Sequence, residues 1–163
     1  MTDNQSPTTS TVNGRVAAIV ENQLRFSKYA NKQLTKLLGE GRVVVAATPD
    51  EAIVAYLEHH PSLILMDQDL EDPKQGSDVT AEIRALDSDN TVIIIALTSS
   101  VRDIDSAAFK AAGADGLLAK GVWVEVLGEC GDDLAAIVDG VAPSPKFLGY
   151  LQWHSDRLAT LGG

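Results

Sequence analysis

The sequence predicts an α/β domain: a parallel sheet with helices on both faces. Five short apolar runs carry the prediction, at 16–20 (VAAIV), 43–47 (VVVAA), 63–66 (LILM), 92–97 (VIIIAL) and 117–119 (LLA). Each is too short for an ordinary helix, and most are rich in Val or Ile. They lack the polar alternation of a half-exposed strand, so they read as strands buried on both faces. Segments of helical period separate them, and that alternation implies parallel strands joined by helical crossovers.

Taken in order, residues 1–14 are small and polar, with Asp3 the sole charged side chain, and are expected to form a flexible tail. The folded domain is expected over 15–141. A helix over 24–38 places Phe26, Ala30, Leu34 and Leu37 on one face, and Gly39 follows as its stop. Residues 50–59 follow Thr48 and Pro49, a fitting N-cap and first helical position. Further helices are expected over 78–86, over 103–112 up to Gly113, and over 132–139. Beyond Pro143 and Pro145, residues 146–161 set Phe147, Leu151, His154, Leu158 and Leu161 along one possible helix face, with Tyr150 and Trp153 beside it. This C-terminal helical extension, 142–163, reads either as cover packed back on its own domain or as a helix for a partner or a second copy.

Composition narrows the function. The 163 residues hold 23 acids and 13 bases, a net charge of −10, which argues against non-specific binding to nucleic acid or anionic lipid. Cys130, the one cysteine, excludes a disulfide framework and a Cys-rich zinc site, and its Gly-rich setting (GECGDD) makes it incidental. No apolar run approaches the roughly 20 residues of a membrane span, and the start lacks a signal peptide's apolar segment, so a cytoplasmic location is expected. His59-His60 has no third ligand nearby and reads as helix-end cations or solvated side chains, not a metal site. There is no P-loop and no G-x-G-x-x-G to suggest nucleotide binding. Trp123 is expected only to pack near the start of the last loop.

The chemistry lies where the apolar runs end. Glu21-Asn22 follows the first, Asp67 the third with Asp69 two residues on, Thr98-Ser99-Ser100 ends the fourth, and Lys120 follows the fifth. In an open parallel sheet the carboxyl ends of the strands share one rim, where ligands bind. Carboxylates, a hydroxyl and an ammonium therefore converge there. Crowded carboxylates repel and need a cation. Oxygen ligands at a partly open site suit Mg2+, which brings in phosphate oxygens. A lysine and a hydroxyl nearby suit the remaining oxygens of a phosphoryl group on Asp67, an aspartyl phosphate formed by in-line transfer.

In PSLILMDQDL (61–70), IIIALTSS (93–100) and AAGADGLLAK (111–120), in this order, the chain resembles the receiver domain of two-component response regulators over about residues 15–141. The resemblance implies a flavodoxin-like (βα)5 fold with strand order 2-1-3-4-5. It implies that Asp67 takes a phosphoryl group from a sensor histidine kinase or phosphotransfer protein. Mg2+ would be held by Glu21, Asp67 and the Asp69 carbonyl, Thr98 would sense the phosphate and Lys120 would pair with its oxygens. Asp69 and Ser100 stand where the family tunes phosphate lifetime. The chain would be a phosphoacceptor rather than an enzyme, with self-dephosphorylation as its only turnover.

Four positions depart from the family pattern. Glu21-Asn22 replaces two adjacent acids, which weakens the Mg2+ site. Leu117 replaces the switch aromatic, Gly121 replaces a proline, and the loop 68–76 is one residue longer. These departures also admit a phosphate-independent interaction module on the same fold. A second enzyme class fits LILMDQDL: haloacid-dehalogenase-type phosphatases, with Asp67 as nucleophile and Asp69 as acid/base. Two strand–helix units precede this motif, an order that matches a receiver better. No output domain fits in the 22 residues after Val141, so a stand-alone regulator signalling by protein contact is expected. Its output would pass through the face formed by the fourth helix, fifth strand and fifth helix, or through the aromatic tail. Lys28 and Lys32 on the first helix read as a solvated face or as a docking surface for an acidic kinase.

Overall fold

The computed structural model describes residues 15–70, 73–99 and 102–163. The expected tail, 1–14, and Ser100 lie outside the described residues. Five strands, β1 (Ala17–Val20), β2 (Val43–Ala46), β3 (Leu63–Met66), β4 (Ile93–Thr98) and β5 (Gly116–Ala119), form one parallel sheet ordered β2-β1-β3-β4-β5. They alternate with α1 (Leu24–Leu38), α2 (Pro49–His59), α3 (Gly76–Leu86), α4 (Asp103–Ala112) and α5 (Trp123–Val138).

Successive strand side chains point to opposite faces, and this divides the core in two. Ala17, Ile19, Leu63, Leu65, Ile93 and Ile95 pack with Leu34 of α1 and Leu134 of α5. Ala18, Val20, Ile64, Met66, Ile94 and Ala96 pack with Tyr56, Ile83 and Phe109 of α2, α3 and α4. Local signals set the helix ends. The Thr48 side chain accepts from Glu51 N–H ahead of Pro49, and Gly39 (φ 107°) and Gly113 (φ 96°) terminate α1 and α4.

Three expectations need correction. First, β2 is an edge strand and is not buried on both faces, for Val45 is 41 % exposed. Second, α5 starts at Trp123, not 132. Gly128 and Gly131 are carried inside the helix, with a kink at Cys130 (φ −133°). A Cβ on Gly131 would lie 3.0 Å from Leu37 Cδ2, so glycine lets α5 approach α1 closely. Trp123 accordingly opens a helix and is buried.

Third, 146–161 is not one helix. Two short ones, α6 (Pro145–Tyr150) and α7 (Asp156–Ala159), are each capped by a serine, Ser144 and Ser155. Between them the chain runs antiparallel along the free edge of β5, with Gln152 N–H donating to Leu117 O (2.8 Å) and Ser155 N–H to Asp115 O (2.8 Å). Unpaired edge groups of the sheet outcompete continued helix here. Phe147, Leu151 and Leu158 join the core on the α1–α5 side. Buried Asp115 fastens the segment, accepting from Arg157 Nη2 (2.7 Å), Ser155 Oγ (2.8 Å) and Arg84 Nη2 (2.6 Å).

Candidate functional site

Strand register brings the polar residues together. Val20 lies opposite Met66, and Met66 opposite Ala96, so Glu21 and Asp67 leave the sheet side by side. Thr98 lies opposite Ala119, which places it beside the strand end from which Lys120 emerges. Backbone bonds hold the exits: Glu21 N–H donates to Ala46 O (2.9 Å) and Asp67 N–H to Val20 O (3.0 Å).

Lys120 opens a 3-10 turn (Lys120–Val122) and turns its ammonium onto both carboxylates. Its Nζ is 2.5 Å from Glu21 Oε1 and 3.5 Å from Asp67 Oδ1, so the shorter pair is with Glu21. Both carboxylates are almost wholly buried. The second Glu21 oxygen accepts from Gln23 N–H (2.9 Å) as the chain enters α1. Phe26, one turn into α1, sets its ring 4.6 Å from the ammonium.

One ammonium does not offset this much acid. Burial, the Glu21 charge and Asp69, opposed by Lys120, push the Asp67 carboxyl up to about 7. Asp69 is exposed, yet near enough for its charge to act on Asp67. Asn22 Oδ1 is buried without a hydrogen-bond partner, an oxygen in want of a donor or a cation. Among the described residues no cluster of three or more acids, histidines or cysteines is placed to cage a metal by itself. Thr98 is fully buried.

The loop after Asp67 is pinned by its neighbours. Gly76 N–H donates to Gln68 O (2.9 Å), and a Cβ on Gly76 would sit 1.8 Å from Asp67 O, so only glycine permits this approach. Gln68, buried, accepts from Ser77 N–H (2.8 Å) and donates to Asp105 Oδ1 on α4 (3.1 Å). Phe26, Gln68, Gly76 and Asp105 have no functional role in the sequence pattern; of these only Gln68 carries a signal, as a polar residue inside a motif. Lys28 and Lys32 stand exposed on α1, along a groove of about 450 Å³ that Asn31, Thr35, Lys36 and Glu40 complete. They are not part of the Asp67 cluster. His59 and His60 are exposed at the end of α2, where His60 serves as a left-handed C-cap.

The sequence model of the response regulator receiver domain matches residues 17–129. Among solved structures, a response regulator from Chloroflexus aurantiacus is 22 % identical, with 77 % of this chain and 98 % of that one covered at a TM-score of 0.63. Chemotaxis protein CheY4 of Vibrio cholerae is 20 % identical over 71 % of this chain and 94 % of its own, at 0.62. The receiver domain of a modulated diguanylate cyclase from Desulfovibrio desulfuricans is 25 % identical over 71 % and 88 %, at 0.59. No curated protein matches. None of these likenesses supports a dehalogenase-type phosphatase.

Proposed function

Since the chain belongs to the response regulator receiver domain family, we propose that it takes a phosphoryl group onto Asp67 from the phosphohistidine of a sensor kinase or phosphotransfer protein. The observation that carries this reading is the Lys120 ammonium held between two buried carboxylates, 3.5 Å from Asp67 Oδ1, at the carboxyl rim of the sheet. An Asp67 oxygen attacks phosphorus in line. The P–O bond forms as the P–N bond to the donor breaks, and the imidazole leaves with the bonding pair and takes up a proton. Lys120 and the Thr98 hydroxyl are the groups to receive the phosphoryl oxygens, their charge and donor strength acting in a site with little water.

The donor set suits Mg2+. Glu21 and Asp67 would supply carboxylate oxygens, Asn22 Oδ1 is a buried oxygen without a partner, and the Asp69 carbonyl would complete the set. Mg2+ takes one or two carboxylates and keeps several waters, so a full protein cage is not required. When bound it supplies positive charge against the phosphoryl oxygens. One carboxylate fewer than the family pattern, with Glu21 already paired to Lys120, predicts weak affinity. Asp69 and Ser100 are proposed to tune the lifetime of the phosphoryl group. Lys28 and Lys32 are proposed to meet an acidic kinase surface, and the signal leaves by protein contact, in keeping with the net charge of −10.

Incubation with acetyl phosphate and Mg2+, followed by intact-mass measurement, tests the reading. Wild type is expected to gain one phosphoryl group and Asp67→Asn none. One observation favours the phosphate-independent module instead: Lys120 is nearer Glu21 than Asp67, so the ammonium has a resident partner without any phosphate. Wild type indistinguishable from Asp67→Asn by mass leaves that module as the function.

A further inference from the structure

Two of the neighbours of the Lys120 ammonium are acids, and a third is the ring of Phe26. Its centroid lies 4.6 Å from Nζ, within the roughly 6 Å over which an aromatic face attracts a cation. We propose that Phe26 is a positioning residue for Lys120, its ring holding the ammonium where it pairs with a phosphoryl group on Asp67. The inference rests on the phosphoacceptor reading and adds a residue to it.

The need for such a residue follows from the distances. Lys120 is 1 Å nearer Glu21 than Asp67, 2.5 against 3.5 Å. A lysine stem is flexible, and with Glu21 already in contact the ion pairs alone do not keep the head within 3.5 Å of Asp67 Oδ1. An aromatic face attracts the charge without neutralising it, so the ammonium keeps its capacity for a new anion. A leucine of similar bulk would cover the stem but offer the head nothing.

The ring is itself well placed for this. Phe26 packs on Trp123 at 6.4 Å between centroids and 53° between planes. Trp123 is buried, opens α5, and lies three residues beyond Lys120, directly after the 3-10 turn. The ring that meets the Lys120 head therefore packs on the side chain of a residue whose backbone N–H donates to Lys120 O. The stem enters from β5 and the ring from α1, which fixes the ammonium from two elements.

Beryllium fluoride with Mg2+, a stand-in for a carboxylate-bound phosphoryl group, is the probe, and its affinity for the full chain is read by calorimetry beside that of Mg2+ alone. Phe26→Leu keeps bulk and removes the ring, while Phe26→Tyr keeps the ring. The expected result is about 3- to 10-fold weaker beryllium fluoride binding in Phe26→Leu, unchanged Mg2+ affinity, and near wild-type binding in Phe26→Tyr. Equal affinity in wild type and Phe26→Leu, or equal loss in both variants, overturns the inference. Should Phe26→Leu fail to fold, trifluorophenylalanine at position 26 keeps the shape while removing the ring's negative face, and the same loss is expected. A wild type that binds Mg2+ but no beryllium fluoride refutes the phosphoacceptor reading as well. A wild type that binds both, with no response to the ring, refutes the role of Phe26 alone.

Discussion

Replacing Asp67 by asparagine is expected to stabilise the metal-free protein at alkaline pH. The folded state pushes the Asp67 carboxyl from 3.8 up to about 7 through burial and the Glu21 charge, so the native protein binds this proton more tightly than the unfolded chain. Stability from the protonated form is fully present below about pH 4 and is lost as pH rises through about 7. At about 1.4 kcal/mol per tenfold change in protonation, the rise from 3.8 to about 7 sets a ceiling of about 4 kcal/mol. Lys120 retains Glu21 at 2.5 Å in the variant, so little is lost in exchange. Asparagine has the same shape and no charge. Asp67→Asn should therefore match wild type near pH 4 and exceed it by about 2–4 kcal/mol at pH 8.5. For a chain of this size that is a rise in Tm on the order of 5–15 °C. Urea unfolding in chelator, followed by tryptophan fluorescence from pH 4 to 8.5, measures it. A difference that does not vary with pH, or a variant less stable than wild type at pH 8.5, refutes the electrostatic account of this site.

Three further outcomes follow from single contacts. Gly76→Ala drives a Cβ to within 1.8 Å of Asp67 O; the loop must move, with a loss of about 2–4 kcal/mol in chemical denaturation and slower acetyl phosphate labelling. Asp115→Ala leaves the Arg84 and Arg157 guanidinium groups, now 2.6 and 2.7 Å from that carboxylate, without it. A loss of about 3–5 kcal/mol is expected, with earlier proteolysis of 145–163 than of the sheet. Charge reversal of Lys28 and Lys32 should slow phosphotransfer from a kinase several-fold while leaving acetyl phosphate labelling unchanged, and equal slowing of both would remove their docking role.

What the sequence revealed and what it hid follow one physical line. Strands flanked by turns are local events, so VAAIV, LILM and VIIIAL could be read directly, as could the Thr48 cap and the glycine stops at 39 and 113. The Glu21, Asp67 and Lys120 cluster was legible because a parallel sheet sends all its strand ends to one rim, and the register then does the rest. Contacts distant in sequence were not legible. Gln68 reaches Asp105 across 37 positions, and Asp105 looks like an ordinary helix-start residue in isolation. Phe26 looked like one more apolar side chain on the buried stripe of α1, since nothing local indicates that a lysine 94 residues later will meet its ring. The start of α5 was hidden by Gly128 and Gly131. Glycine lowers helix propensity, but at 131 the close approach of Leu37 outweighs that cost.

The same distinction explains the two edges of the sheet. β5 is finished by the chain's own 152–155 segment, whose hydrogen bonds and the Asp115 cluster leave that edge paired. No strand pairs the outer edge of β2 among the described residues, and its Val43-Val44-Val45 run has neither lysine nor proline to blunt it. Such an edge invites pairing with a second copy. Beside it α2 presents Asp50, Glu51 and Glu58 around the groove that Val44, Val45 and Val54 line. Two copies meeting there would set these carboxylates against their counterparts on molecules that each carry −10. Repulsion at close range therefore guards β2 as backbone pairing guards β5, and high salt, which screens it over about 3 Å at 1 M, should be the condition under which this protein self-associates.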